Sequence, residues 1–231
     1  MKSRYKPVGW RNESQRHSLA SKGIKTSNQC KSYKVVGAGG REVVNKFMVY
    51  KFDDLSEEVK EKALEENRAI NVFDGWYEPL KEGLDEDLEN IGFSKIESYF
   101  SGFYSQGDGA SFKGMLNVKE YIEKNNYQKD YPEIFKELQK GEYYIRAGIT
   151  QQGNYVHENT MSSYTEYEGD NEKVEKELQK FQDDLQEDMR GKAKNYHKNL
   201  RDYYEELQSD ESIIETFESN DYEFTVNGKI H

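Results

Sequence analysis

The sequence predicts an α+β protein, an antiparallel sheet of four or five strands packed by helices and followed by a long C-terminal helix. Three observations carry that reading. Segments with alternating apolar residues, such as 142–151 with Tyr143, Ile145, Ala147 and Ile149 on one face, are joined by short Gly-containing turns, as in antiparallel sheets. Between and before them lie segments with helical spacing. Over residues 171–207, Val174, Leu178, Phe181, Leu185, Met189, Tyr196, Leu200, Tyr203 and Leu207 recur mostly at three- and four-residue steps.

The elements follow in order. Residues 1–34 are rich in Lys, Arg, Ser and Asn and read as a flexible basic arm, with one short helix started by Asn12 and Gln15 and stopped by Gly23. Residues 35–231 read as a single acidic domain. Its Gly-rich turn at 37–40 lacks the G-x-G-x-x-G pattern of a dinucleotide site. A strand is expected over 43–52 from its β-branched and aromatic content, then a helix opened by an Asp54/Glu57 capping box with Leu55, Val59 and Ala63 inward. A second helix, capped by Asp74 and with Pro79 in its first turn, places Trp76, Leu80, Leu84, Leu88 and Ile91 on one stripe, so the two helices form an αα unit with one apolar seam.

After Gly92 the period becomes two, with Ile96, Ser98 and Phe100 on one face, and alternation resumes at 110–116. The connection is a hairpin whose loop is 105–109, Gly107 and Gly109 supplying positive φ and Gly102 marking a bulge. Asn117 and Glu120 cap the next helix, and Pro132 opens and Gly141 closes another. Strands over 142–151 and 155–167 complete the sheet. The long helix would span about 55 Å at about 1.5 Å per residue, so a bend near Gly191 or a partner helix is an alternative to packing on its own sheet. A helix at 212–217 and a strand at 222–226 with an Asn-Gly turn end the chain.

Composition narrows the function. Of the net charge of −11, residues 1–34 contribute about +8, from nine Lys or Arg against Glu13, leaving about −19 for the remainder. Such a body repels polyanions and attracts basic protein surfaces. The single Cys30 excludes an internal disulfide framework and a Cys-based zinc site, and four scattered His complete no metal site. No motif implies a cofactor. No apolar run reaches the roughly 18 residues of a membrane span, and no secretory signal is evident, so a cytoplasmic protein with no membrane partner is expected.

Specific chemistry is concentrated in "SGFYSQGDG", residues 101–109. Turn chemistry accounts for its glycines, whereas Phe103, Tyr104, Gln106 and Asp108 form a candidate recognition surface. An enzyme would pair Asp108 with His157 on a neighbouring strand, with Tyr104, Ser105 and Arg146 near, although this set matches no established catalytic spacing. A nucleic-acid factor would use the arm, where Lys6, Trp10, Arg11, Arg16, Lys22 and Lys25 combine cations with a stacking ring.

The run "YKFDDLSEEVKEKALEENR", followed by "YFSGFYSQGDGASFKG" and "SDESIIETFESNDYEFTVNGK", resembles a family of uncharacterised phage and prophage proteins, sometimes labelled antitoxins of a toxin–antitoxin stability system. The likeness covers residues 49–228. It implies a mobile-element origin and one continuous domain, with no catalytic residues to carry over. The opening "GWRNESQRHSLASKGIKT" resembles a separate short leader. These readings favour an accessory binding protein whose acidic body docks on a host or toxin protein.

Overall fold

A computed structural model describes residues 29–36, 42–141, 145–153 and 155–231, with side chains from Met48 onward. The expected arm helix and the arm cations lie outside the described residues. The fold is α+β, and its described residues divide into two compact units, one within 73–206 and the other made of those before 73 together with 207–231.

In the latter unit, β1 (Gln29–Val36) and β2 (Glu42–Val49) form an antiparallel hairpin, so the last residues of the expected arm are strand. The strand predicted to reach Phe52 stops at Val49. Tyr50 then makes a single two-way bridge with Phe224, and Phe52–Asp54 turn into a 3-10 helix. Helix α1 (Glu57–Glu66) starts at Ser56, not Asp54, because Asp54 is already committed to the 3-10 turn. A later helix, Asp210–Ser219, is capped by Ser209, whose hydroxyl accepts from the Ser212 amide at 3.2 Å. Phe52, Phe217 and Phe224 meet at ring separations of 4.9–5.9 Å around Leu55, Ala63, Leu64 and Ile213. The strand expected at 222–226 is reduced to single-residue bridges from Phe224 to Tyr50 and Ile230.

The other unit holds the four-stranded antiparallel sheet, in spatial order β3 (Phe93–Phe100), β4 (Ala110–Leu116), β5 (Ile145–Gln151), β6 (Met161–Tyr167). Helix α2 (Glu78–Asn90) has Pro79 in its first turn and Tyr77 at its N-cap, with no side-chain cap, so Asp74 does not serve. Leu84 and Leu88 join this unit's core whereas Ala63 and Leu64 of α1 join the other, so the two helices do not share the one apolar core expected of an αα unit. Asn117 caps α3 (Val118–Lys124) by accepting from the Glu120 amide at 3.2 Å. Helix α4 (Pro132–Lys140) ends at Gly141, whose φ of 69° is the left-handed closure anticipated for it.

Helix α5 (Glu172–Leu207) runs uninterrupted for 36 residues, through Gly191. Its stripe from Val174 to Leu200 is buried in the same core as Phe112, Ile149 and Met161, so the helix packs on its own sheet. Two buried tyrosines, Tyr121 and Tyr131, replace aliphatic residues there with their hydroxyls satisfied. Tyr121 donates to Asp188 at 3.0 Å and Tyr131 to Asp184 at 2.7 Å, and burial raises both phenol pKa values. The α6 helix is the Asp210–Ser219 segment described above.

Candidate functional site

The β3–β4 hairpin loop is longer than the sequence suggests. Phe100 pairs with Ala110, so nine residues, Ser101 to Gly109, lie outside the ladder, and Phe103 and Tyr104 belong to the loop. The bulge expected at Gly102 occurs instead between Ser94 and Glu97, where Lys95 has a φ of 52°. The loop is closed at its base by the Ser101 amide donating to the Gly109 carbonyl at 2.9 Å and the Gly109 amide donating to Ser101 Oγ at 3.0 Å.

Asp108 organises the tip. Its Oδ2 accepts from the amides of Tyr104 at 3.0 Å and Ser105 at 2.7 Å, while its own amide donates to the Ser105 carbonyl at 3.1 Å. Gly107 adopts the positive φ required, 94°. Gly109 is needed for a different reason from the one expected: a Cβ there would sit 3.0 Å from the His157 Cα.

Phe103 anchors the loop. Its ring lies 6.1 Å from Phe100, 6.2 Å from Trp76, 5.4 Å from His197 and 5.3 Å from Tyr204. His197 Nε2 donates to the Gly102 carbonyl at 3.0 Å, which ties the loop to α5. Tyr104 points the other way. It is 74% exposed, and its hydroxyl reaches Glu205 Oε1 at 3.4 Å; partial desolvation, followed by that carboxylate, raises its pKa. Gln106 is exposed beside it. Of the four residues of the predicted recognition surface, then, Tyr104 and Gln106 face solvent, while Phe103 and Asp108 hold them in place.

Asp108 and His157 each bond to other partners. His157 is not on a strand: it caps the 3-10 turn Glu158–Thr160, with Nδ1 accepting from the Asn159 amide at 3.1 Å. Glu158 Oε2 lies 3.2 Å from the same nitrogen, an approach that becomes attractive only when the ring is protonated. No hydrogen bond joins His157 to Asp108, whose bonding oxygen is turned into its own loop. Arg146 sits where β5 runs beside Leu116, at the opposite end of the sheet from the loop, and pairs with Glu166 and Glu168 at 3.6 Å each. Among the described residues no cluster of His, Cys, Asp or Glu could hold a metal ion, and no helix is long and apolar enough to cross a membrane.

Sequence reasoning placed Trp76 and Tyr203 in core stripes and missed His197, Arg201, Tyr204 and Glu205 as neighbours of the loop. The available signal was their helical spacing, which puts all four on one side of α5. Glu205 brings an exposed carboxylate to Tyr104, and Arg201 lies 4.0 Å from Glu205 and 3.6 Å from Asp202.

Comparison with curated proteins and with solved structures gives no match. A family model described as a domain of unknown function, DUF8835, matches residues 76–210, from Trp76 through the loop and the whole of α5. The chain belongs to the DUF8835 family.

Proposed function

We propose that the chain is a phage-type accessory binding protein of the cytoplasm whose acidic body docks on a basic surface of a host or toxin protein. The observation that carries this reading is Tyr104, a large ring 74% exposed on a loop whose backbone is already fixed by Asp108 and Phe103. A ring presented in this way offers contact area with little conformational entropy left to lose. A body of about −19, with the Glu205 carboxylate at the ring, steers cationic surfaces toward it. Mobile-element origin rests on the resemblance carried by "SGFYSQGDGASF".

The test is affinity purification from host lysate with the full chain as bait. A protein retained in stoichiometric amount at about 50 mM salt, released near 0.5 M, and weakened about 10- to 30-fold by Tyr104→Ala supports the reading. Retention of no protein, or retention indifferent to both salt and Tyr104→Ala, overturns it.

A further inference from the structure

A second feature of residues 73–206 has a chemistry of its own. A groove of about 570 Å³ opens between the start of α2, the end of β3 and α5. Tyr77, Tyr99, Phe100 and Tyr196 line it together with Glu78 and Glu82. Tyr77 and Phe100 are packed edge to face at 5.1 Å, which fixes the wall.

The polar groups of this groove divide into satisfied and unsatisfied. Lys81 is neutralised by Asp85 at 2.7 Å, and Asp85 also accepts from Ser98 Oγ at 3.3 Å. Tyr99 donates to Glu97 at 2.5 Å. By contrast, Glu78 and Glu82 are exposed and have no ion pair or hydrogen bond among the described residues. Tyr196 is only 5% exposed and its hydroxyl makes no hydrogen bond among the described residues, yet it is not one of the hydroxyls sealed from solvent, so its oxygen opens at the groove that the residue lines. Burial, with the charge of Asp85 and the nearby Tyr77, raises its pKa, so it remains a neutral hydroxyl with a free lone pair and a free proton.

We infer that this groove receives an arginine side chain of a basic protein partner. The two unpaired carboxylates attract a cation, the aromatic walls suit a flat one, and the Tyr196 oxygen can accept one of its N–H groups. A guanidinium meets all three demands, being planar, weakly hydrated and supplied with five donors. A lysine ammonium meets the first and third but cannot stack. The inference rests on the docking reading above, because it names the side chain by which a basic partner would be recognised; it adds a site separate from Tyr104.

The experiment uses the isotopically labelled full chain and two small probes, N-acetyl-arginine amide and its neutral isostere N-acetyl-citrulline amide, followed by amide chemical shifts. Arginine should move the signals of residues 77–82, 98–100 and 196 in a saturable way, and citrulline should bind at least about fivefold more weakly. Tyr196→Phe, which keeps the ring, and Glu82→Gln, which is exposed and leaves the core untouched, should each weaken arginine binding several-fold. Equal binding of citrulline, shifts located elsewhere, or unchanged affinity in both variants overturns the inference. Because the probe is a single amino-acid derivative, such a failure leaves salt-sensitive complex formation through Tyr104 standing, and the two proposals fall separately.

Discussion

Replacing Asp108 separates a structural from a catalytic acid. In the structure its Oδ2 takes two backbone N–H groups, from Tyr104 at 3.0 Å and Ser105 at 2.7 Å. Hydrogen bonds to an ionised acceptor contribute about 1.5–3 kcal/mol each when the donor is left dry on their loss. Here Tyr104 and Ser105 are exposed, so water reaches the freed amides and the contribution falls below that range, to the roughly 1 kcal/mol of an ordinary solvated hydrogen bond each. Asp108→Ala should therefore destabilise by about 2 kcal/mol, and Asp108→Asn, which keeps a neutral acceptor in the same place, by about half that. At about 2–4 °C per kcal/mol for a chain of this size, the Tm should fall by roughly 4–8 °C for Ala and 2–4 °C for Asn. Thermal unfolding followed by circular dichroism measures both. An Ala variant as stable as the parent, or an Asn variant as damaged as Ala, would refute the assignment of Asp108 as the loop's internal acceptor.

Three further outcomes follow from the same geometry. Gly109→Ala places a Cβ 3.0 Å from the His157 backbone, which cannot yield as a side chain would, and should cost about 1–3 kcal/mol in chemical denaturation; an unchanged midpoint would mean the two loops separate freely. Gly191→Ala meets nothing within 4 Å on the exposed side of α5 and should stabilise by about 0.5–1 kcal/mol, raising Tm, whereas a loss of stability would contradict a regular helix at that point. Glu137 is almost fully buried, and its carboxyl is held below its ordinary value of 4.5 chiefly by the Lys140 hydrogen bond at 2.9 Å. A depressed folded pKa stabilises above the ordinary value and loses that contribution as pH falls through the folded one, so Glu137→Gln should flatten the decline of Tm between about pH 5 and pH 3.

The sheet, the long helix and the helix ends with a local chemical signature were legible because each rests on short-range rules. Asn117 accepts from its own N3 amide, Gly141 takes the left-handed position, and Pro132 sits where no amide donor is needed. The misreadings arose where tertiary partners overrode local pattern. Asp54 and Glu57 have capping-box spacing, but a 3-10 turn over Phe52–Asp54 moves the start to Ser56. The αα seam failed because apolar spacing reveals which face is buried and not which core buries it. His157 sits in a polar run whose β-type residues suggested a strand, and its role as a cap depends on a side-chain bond two residues ahead. In the site, Asp108 and Phe103 were identified as residues to watch, but Asp108 turns into its own loop to accept from the Tyr104 and Ser105 amides, and the inward direction of Phe103 is set by Tyr204 and His197, about a hundred residues away.

The claim that the acidic body is a docking surface for a basic protein is tested most directly by isothermal titration of a purified partner into the full chain and its Tyr104→Ala variant at low and high salt. A one-to-one complex that weakens at least about tenfold between about 50 mM and 0.5 M salt, and by a similar factor on Tyr104→Ala, is the predicted result. A complex whose affinity is the same at both salts and in both proteins would contradict it.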